Sequence, residues 1–271
     1  MATTINSGYA NSPKLTANIA DHADVYGGRA LVFDGVVDSL NLNAGNGLIS
    51  RADIEANGES FSAWIKLDNV SGLKYVVGHG RNVTDNDTIY GGIYIQDTTA
   101  KFILYKNSAY QIISGTTTLS ADTWYHIVGT YDGENNDDKT RIYINGSLEA
   151  TSSALGGNFI TAEPTIAYIG RNTNGLTPDY FNGSISDVKI YSSALTEAEV
   201  QSQYLKPESV PSPSTLVAWY PMIEGNPESP QSIVYDHSEK KLGSEISGDP
   251  TFDNASNWSV SLGNGGVDVN T

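Results

Sequence analysis

The chain contains no cysteine. Disulfide staples, thiolate metal sites and thiol nucleophiles are therefore excluded. Methionine is scarce, with two residues, and the four histidines, His22, His79, His126 and His237, are scattered with no His-x-x-x-His pair. No apolar run approaches the ~18 residues that a membrane-crossing helix needs. The opening Met-Ala-Thr-Thr-Ile-Asn-Ser has neither a basic start nor an apolar segment, so no classical signal peptide is expected. Positive charge is also short: 15 basic side chains face 31 acidic ones, a net charge of −16. Such a surface repels phosphate backbones and anionic headgroups, so neither nucleic acid nor membrane is expected as a partner. Divalent cations and neutral polymers are compatible with it, as is a charge that serves solubility alone.

What is present is β-pattern. Residues 123–133, Thr-Trp-Tyr-His-Ile-Val-Gly-Thr-Tyr-Asp-Gly, are rich in aromatic and β-branched types that alternate over two faces. Trp124, His126 and Val128 fall on one face, where His126 reads first as a hydrogen-bonded, semi-buried residue. After an acidic loop, Asn145-Gly146 stands between Ile142, Ile144 and Leu148, Ala150. Asn-Gly between alternating apolar residues is a strong hairpin signal, because a type I′ turn needs positive φ at both central positions.

Similar runs recur from Ala30 to Tyr191, with Gly, Asn and Asp between them, and number at least ten short strands. That spacing predicts an all-β, antiparallel sandwich or jelly roll. One short helix is expected after Thr196-Glu-Ala-Glu199, a capping box in which the Thr hydroxyl and the Glu carboxylate satisfy each other's backbone N–H. Residues 1–29 are small, polar and aperiodic and read as an N-terminal arm. The sandwich domain is expected over 30–205. Residues 206–214, with three prolines and three serines, read as a stiff linker and domain boundary. Residues 215–271 then form a smaller C-terminal segment.

Taken in order, several pieces resemble the laminin G-like, concanavalin A-like jelly-roll domains. They are Ala-Leu-Val-Phe-Asp-Gly-Val-Val-Asp at 30–38, Phe-Ser-Ala-Trp-Ile-Lys at 61–66, the 123–133 run, and Ile-Tyr-Ile-Asn-Gly at 142–146. Ile-Gly-Arg-Asn at 169–172 and Phe-Asn-Gly-Ser-Ile-Ser-Asp-Val-Lys-Ile-Tyr at 181–191 follow. Leu-Val-Ala-Trp-Tyr at 216–220, with Val-Tyr-Asp-His-Ser at 234–238, is similar to the opening of a second such domain. The resemblance implies a fold that carries lectins, adhesion modules, virion parts and some polysaccharide hydrolases, so it does not settle function. It also implies a structural calcium ion between the Asp-Gly turn and the last strand motif, with Asp34 and Asp187 as ligands and Asp38 as a third. The alternative is that Asp34 bonds turn amides and Asp187 caps a loop.

Glycoside hydrolysis normally needs two carboxyls about 5–10 Å apart. The closely spaced Glu-x-Asp-x-x-Glu arrangement is absent; Glu55 and Glu59 read as loop residues, and Asp137 and Asp138 as a hairpin tip. A non-catalytic module is expected. Sugar recognition combines aromatic platforms with planar polar side chains. Tyr90, Tyr110 and Tyr180, in or near loops, together with His79, Arg81, Arg171 and Asn172, are the candidate ligand-binding residues. The expected role is a binding or structural module of a virion or extracellular surface assembly, oligomeric or part of a larger particle, that recognises a glycan or partner protein. A purely architectural virion protein, and a domain of a polysaccharide-degrading enzyme, are the alternatives.

Overall fold

The computed structural model describes residues 30–42, 48–81, 88–106, 109–159, 163–172, 179–222 and 234–238. The expected N-terminal arm, 1–29, and residues 239–271 lie outside the described residues.

The described chain runs β1 (Leu31–Asp34), β2 (Leu40–Asn41), α1 (Arg51–Asn57), β3 (Glu59–Leu67), β4 (Leu73–Arg81), β5 (Thr88–Gln96), β6 (Thr99–Lys106) and β7 (Ala109–Ser114). It continues through β8 (Trp124–Tyr131), β9 (Thr140–Ile144), β10 (Ser147–Thr151), β11 (Ile166–Ile169), β12 (Asn182–Tyr191), α2 (Glu197–Leu205) and β13 (Leu216–Tyr220). Sheet I has seven strands in the order β1-β12-β3-β8-β9-β10, with β13 also on β12; sheet II has six, β2-β11-β4-β5-β6-β7. All recorded pairings are antiparallel, and the expected all-β sandwich is what forms.

Alternation builds the core. On β3, Phe61, Ala63, Ile65 and Leu67 turn inward, where they join Ile93 and Ile95 of β5 and Phe102 and Leu104 of β6. Phe61 and Phe102 meet across the interior at 6.3 Å. Gly129 of β8 leaves room for this, since a Cβ there would come within 2.2 Å of the Phe102 ring. The Asn145-Gly146 turn forms as expected, with φ of 50° and 78°. Asn145 Oδ1 also accepts from the His126 N–H at 2.9 Å, tying the turn to the neighbouring strand.

The outward face of sheet I is covered by α2. Its capping box is present: Glu199 N–H donates to Thr196 Oγ1 at 3.3 Å, and Thr196 N–H donates to Glu199 Oε2 at 2.8 Å. Val200 then packs with Val128, Tyr143, Tyr191 and Leu195. Tyr204 stacks on Trp64 at 5.7 Å. His126 is buried beneath the same helix, with Nε2 2.9 Å from Ser62 Oγ.

Three expectations need correction. A second helix, α1, forms where a loop is expected around Glu55. Ser50 caps it by accepting from the Asp53 N–H, a local signal of the same kind as at Thr196. Glu59 is a buried residue at the start of β3, also not a loop residue. Finally, the run 206–214 does not separate β13 from the sandwich. β1 pairs with residues 182–185 of β12, and β13 pairs with 188–191 on the same strand. The buried Lys189 ammonium bonds Asp187 and the Pro207 carbonyl, and Trp219 Nε1 donates to Asp187 Oδ1 at 2.8 Å. The apolar 216–220 strand therefore completes sheet I instead of opening a second domain.

Candidate functional site

The outward face of sheet II has no helix over it among the described residues. Its composition follows from strand parity. When Phe102, Leu104 and Ile113 point inward, Ile103, Tyr105, Tyr110 and Ile112 must point outward. Cross-strand register then sets the rows. Tyr168 lies opposite Gly78, Gly78 opposite Gly92, Gly92 opposite Ile103, and Ile103 opposite Ile112. Tyr75 and Tyr94 form the next row and stack at 5.1 Å, and with Ile103 they make a small closed cluster at the centre of the face.

Two accessible patches flank that cluster. Towards the β7 edge, Tyr105 and Tyr110 meet edge-on at 4.9 Å, and Tyr110 and Ile112 are 46% and 50% exposed. Towards β11, Arg171 and Tyr180 pair across a single bridge. The Arg171 guanidinium lies 4.6 Å from the Tyr168 ring and 5.7 Å from the Tyr180 ring. Its Nε donates to the Asn172 carbonyl at 3.1 Å, and its terminal nitrogens have no partner among the described residues. Asn172 Nδ2 donates to Asp179 Oδ2 at 3.0 Å. Burial raises the Asp179 carboxyl above its ordinary value, and the bond from Asn172 partly offsets this. Burial also pushes the Tyr75 hydroxyl far up, reinforced by Tyr94 and Asp179. Both phenols of the central pair are thus neutral donors or acceptors at any ordinary pH.

Of the candidate ligand-binding residues, Tyr110, Arg171 and Tyr180 lie on the sheet II side with accessible surface, and Asn172 is almost wholly buried beside Arg171. The others do not lie there. Tyr90 lies in β5, fully buried in the core, and not near a loop. His79 is also fully buried, inside β4, with its ring against Phe61 at 5.4 Å and Tyr90 at 6.1 Å. Its Nε2 lies 2.8 Å from Glu59 Oε2 across the two sheets. The contact is close but not aligned as a hydrogen bond, and neither side chain has another hydrogen bond among the described residues. His79 and Tyr90 therefore serve the interior and cannot touch a ligand on this face. The Arg81 backbone closes β4; its side chain lies outside the described residues.

The three aspartates do not form one cation site. Asp34 Oδ1 accepts from the N–H groups of Val36, Val37 and Asp38 at 2.8, 2.9 and 3.1 Å. Those amides, Val37 first, hold its carboxyl below the ordinary range. Asp38 returns a bond by accepting from the Asp34 N–H. Asp187 lies five residues along β12 from Asn182, the partner of Asp34, or about 16 Å at the usual strand rise. It is already engaged by Lys189 and Trp219. A calcium ion needs several uncommitted oxygens in one shell, and this donor set does not fit. Among the described residues no three acidic or histidine side chains are grouped for a metal. The acidic 132–138 loop spends its end carboxylates internally: Asp132 bonds the Lys139 N–H and Arg141, and Asp138 bonds Tyr131 and the buried Lys106.

Tyr168, Tyr75, Tyr94 and Asp179 belong to the face and were missed in the sequence. For Tyr168 a signal existed, since Ile169 is inward by pattern and its neighbour must be outward. For Tyr75 and Tyr94 no local signal separates a face residue from a core one.

A family model for the concanavalin A-like lectin/glucanases superfamily, of the laminin G type, matches residues 26–201. The chain is 26% identical over 157 residues to the adhesion G-protein coupled receptor V1 of Danio rerio, covering 55% of this chain and 2% of that receptor. Among solved structures it is similar to the CBM40 domain of the Ruminococcus gnavus IT-sialidase bound to α2,3-sialyllactose. There the TM-score is 0.53 at 16% identity, covering 64% of this chain and 95% of that one. It is also similar to a protein of Bacteroides ovatus assigned to carbohydrate binding, with TM-score 0.55 at 19% identity, covering 77% of this chain and 55% of that one. At such identities these likenesses speak to fold. The strand order, the capped helix and the family match agree, and the chain belongs to the concanavalin A-like lectin/glucanases superfamily.

Proposed function

We propose that this chain is a non-catalytic carbohydrate-binding module whose recognition surface is the outward face of sheet II. The observation that carries the reading is Arg171, whose guanidinium lies near the rings of both Tyr168 and Tyr180 with its terminal nitrogens uncommitted among the described residues. A guanidinium in that position can donate two parallel bonds to vicinal hydroxyls or a carboxylate. The flanking rings offer apolar faces to the C–H side of a sugar. Asn172 Nδ2 holds the Asp179 carboxylate beside it, and that carboxylate adds an acceptor. Similarity to modules named for carbohydrate binding supports the same reading.

The setting that suits this module is an extracellular or particle surface, a virion included, where several copies would add their weak affinities. Among the described residues no helix is long and apolar enough to cross a membrane.

The test is a glycan array probed with the full chain and with Arg171→Ala. Signal on a subset of glycans that drops about tenfold in the variant, with an unchanged circular dichroism spectrum, is the expected result. An array with no signal above background, or a variant that binds like the parent, sinks the reading.

A further inference from the structure

The interior holds a lysine that the binding reading leaves unused. Lys106, the last residue of β6 in sheet II, is fully buried. Its ammonium contacts three oxygens carried by β8 and the loop after it: Asp138 Oδ1, Glu134 Oε1 at 3.1 Å and the Tyr131 hydroxyl at 3.1 Å. Tyr131 in turn donates to Asp138 Oδ1 at 2.7 Å, and the Gly156 N–H donates to Asp138 Oδ2 at 2.6 Å. The rings of Tyr131 and Phe159, each 5.5 Å from the Lys106 nitrogen, close the shell. A primary amine is thus held against one carboxyl group, with a second carboxyl beside it and apolar rings around it. Desolvation of this kind is what makes a lysine a nucleophile.

We propose that Lys106 and Asp138 condense into an intramolecular amide that ties sheet II to the loop between β8 and β9. Neither the chemistry nor its test depends on the carbohydrate-binding reading. Burial acts to raise the Asp138 carboxyl, but the bonds from Lys106, Tyr131 and Gly156 outweigh it and hold the group below its ordinary value, so the resting pair is ionic. The reaction starts when a proton passes from the ammonium to Asp138 Oδ1, a transfer that removes two charges from a site poor in water. The neutral amine attacks the carboxyl carbon and the N–C bond forms, while the Gly156 N–H holds the negative charge on Oδ2. Glu134 takes the next proton from Nζ and passes it to Oδ1, which leaves as water. The products are one amide and one water, and no oxidant or cofactor is consumed. In a chain without cysteine, the bridge would restrict the unfolded state as a disulfide does.

The test is the intact mass of the purified full chain, denatured, followed by chymotryptic mapping. The main species is expected to be lighter than its sequence by one water. Another buried lysine, Lys189, bonds Asp187 two residues away on its own strand, where an amide would join no separate elements, so a second water should not be lost. Cleavage after Tyr105, Tyr110, Tyr131 and Tyr143 should release residues 106–110 joined to residues 132–143. Lys106→Arg and Asp138→Ala should each restore the full mass, and Glu134→Gln, changed at a partly exposed side chain, should restore it for most of the population. A parent chain at full mass overturns the inference, and this readout needs no variant to fold. So does a lost water with the two peptides separate, the result of ring closure at Asp34-Gly35 or Asp132-Gly133. A Glu134→Gln chain as light as the parent overturns the proton transfer given to Glu134.

Discussion

The two outward faces of the sandwich carry similar aromatic residues and play different parts. On sheet I, Trp64, Trp124, Tyr143 and Tyr191 are almost wholly buried, because α2 or its flanking loops pack over them. On sheet II, Tyr105, Tyr110, Tyr168 and Tyr180 keep accessible surface, with Arg171 among them. Strand alternation alone produces both sets. A helix one turn longer or shorter, or placed on the other sheet, would exchange core for surface without altering a strand. An outward aromatic residue is therefore evidence for a binding face only once its cover is known.

That contrast can be broken in several ways. The largest effect is expected from Trp64→Ala, which removes a fully buried ring and its stack with Tyr204, at a cost of about 3–5 kcal/mol. Tyr110→Ala on the open face should cost less than about 0.5 kcal/mol. Urea unfolding of both decides it, and similar losses would erase the distinction between the faces. Next in size is the inter-sheet pair. His79→Leu strands the Glu59 carboxylate in the core, which should cost about 3 kcal/mol, whereas adding Glu59→Leu should recover much of it. A third measure is binding in place of stability: Arg171→Ala should weaken glycan affinity about tenfold with a melting temperature within a degree or so of the parent. A matching loss of stability would make Arg171 a structural residue.

The smallest effect concerns Asp179, whose carboxyl is raised by burial. A group with a raised folded-state value adds stability that is present below its unfolded value and disappears as pH rises through the folded one. Asp179→Asn should therefore raise the melting temperature slightly near neutral pH. The gain should vanish below the ordinary carboxyl value of 3.8. A gain that persisted in acid would point to packing instead of charge.

Legibility in the sequence divided along the range of the interactions. The 145–146 turn and the α2 capping box are set by neighbours three or four residues apart, and both form as read. The same kind of cue at Ser50 and Asp53 was present, but the seven-residue α1 buries only Ile54, so no apolar periodicity drew attention to it. Arg171, Asn172 and Tyr180 were legible as polar and aromatic residues beside a Gly170 turn, where φ is 84°. Tyr168, three residues before Arg171, is a local companion, whereas Tyr75 and Tyr94 come from two other strands and meet the group only through register. Tyr90 and His79 misled because irregular pairing, between Tyr75 and Val77 and between His79 and Gly80, displaces simple alternation there.

By itself the sequence determined the strands, their turns, the helix start and the absence of thiol chemistry, since each depends on local residue types or on composition. Only the tertiary structure decided which outward aromatics face water, that Glu59 and His79 meet between the sheets, that Asp34 and Asp187 stay apart, and that the 216–220 strand closes sheet I. Those outcomes depend on which distant segments pack together, and burial and pairing over such separations leave no mark in a short stretch of chain.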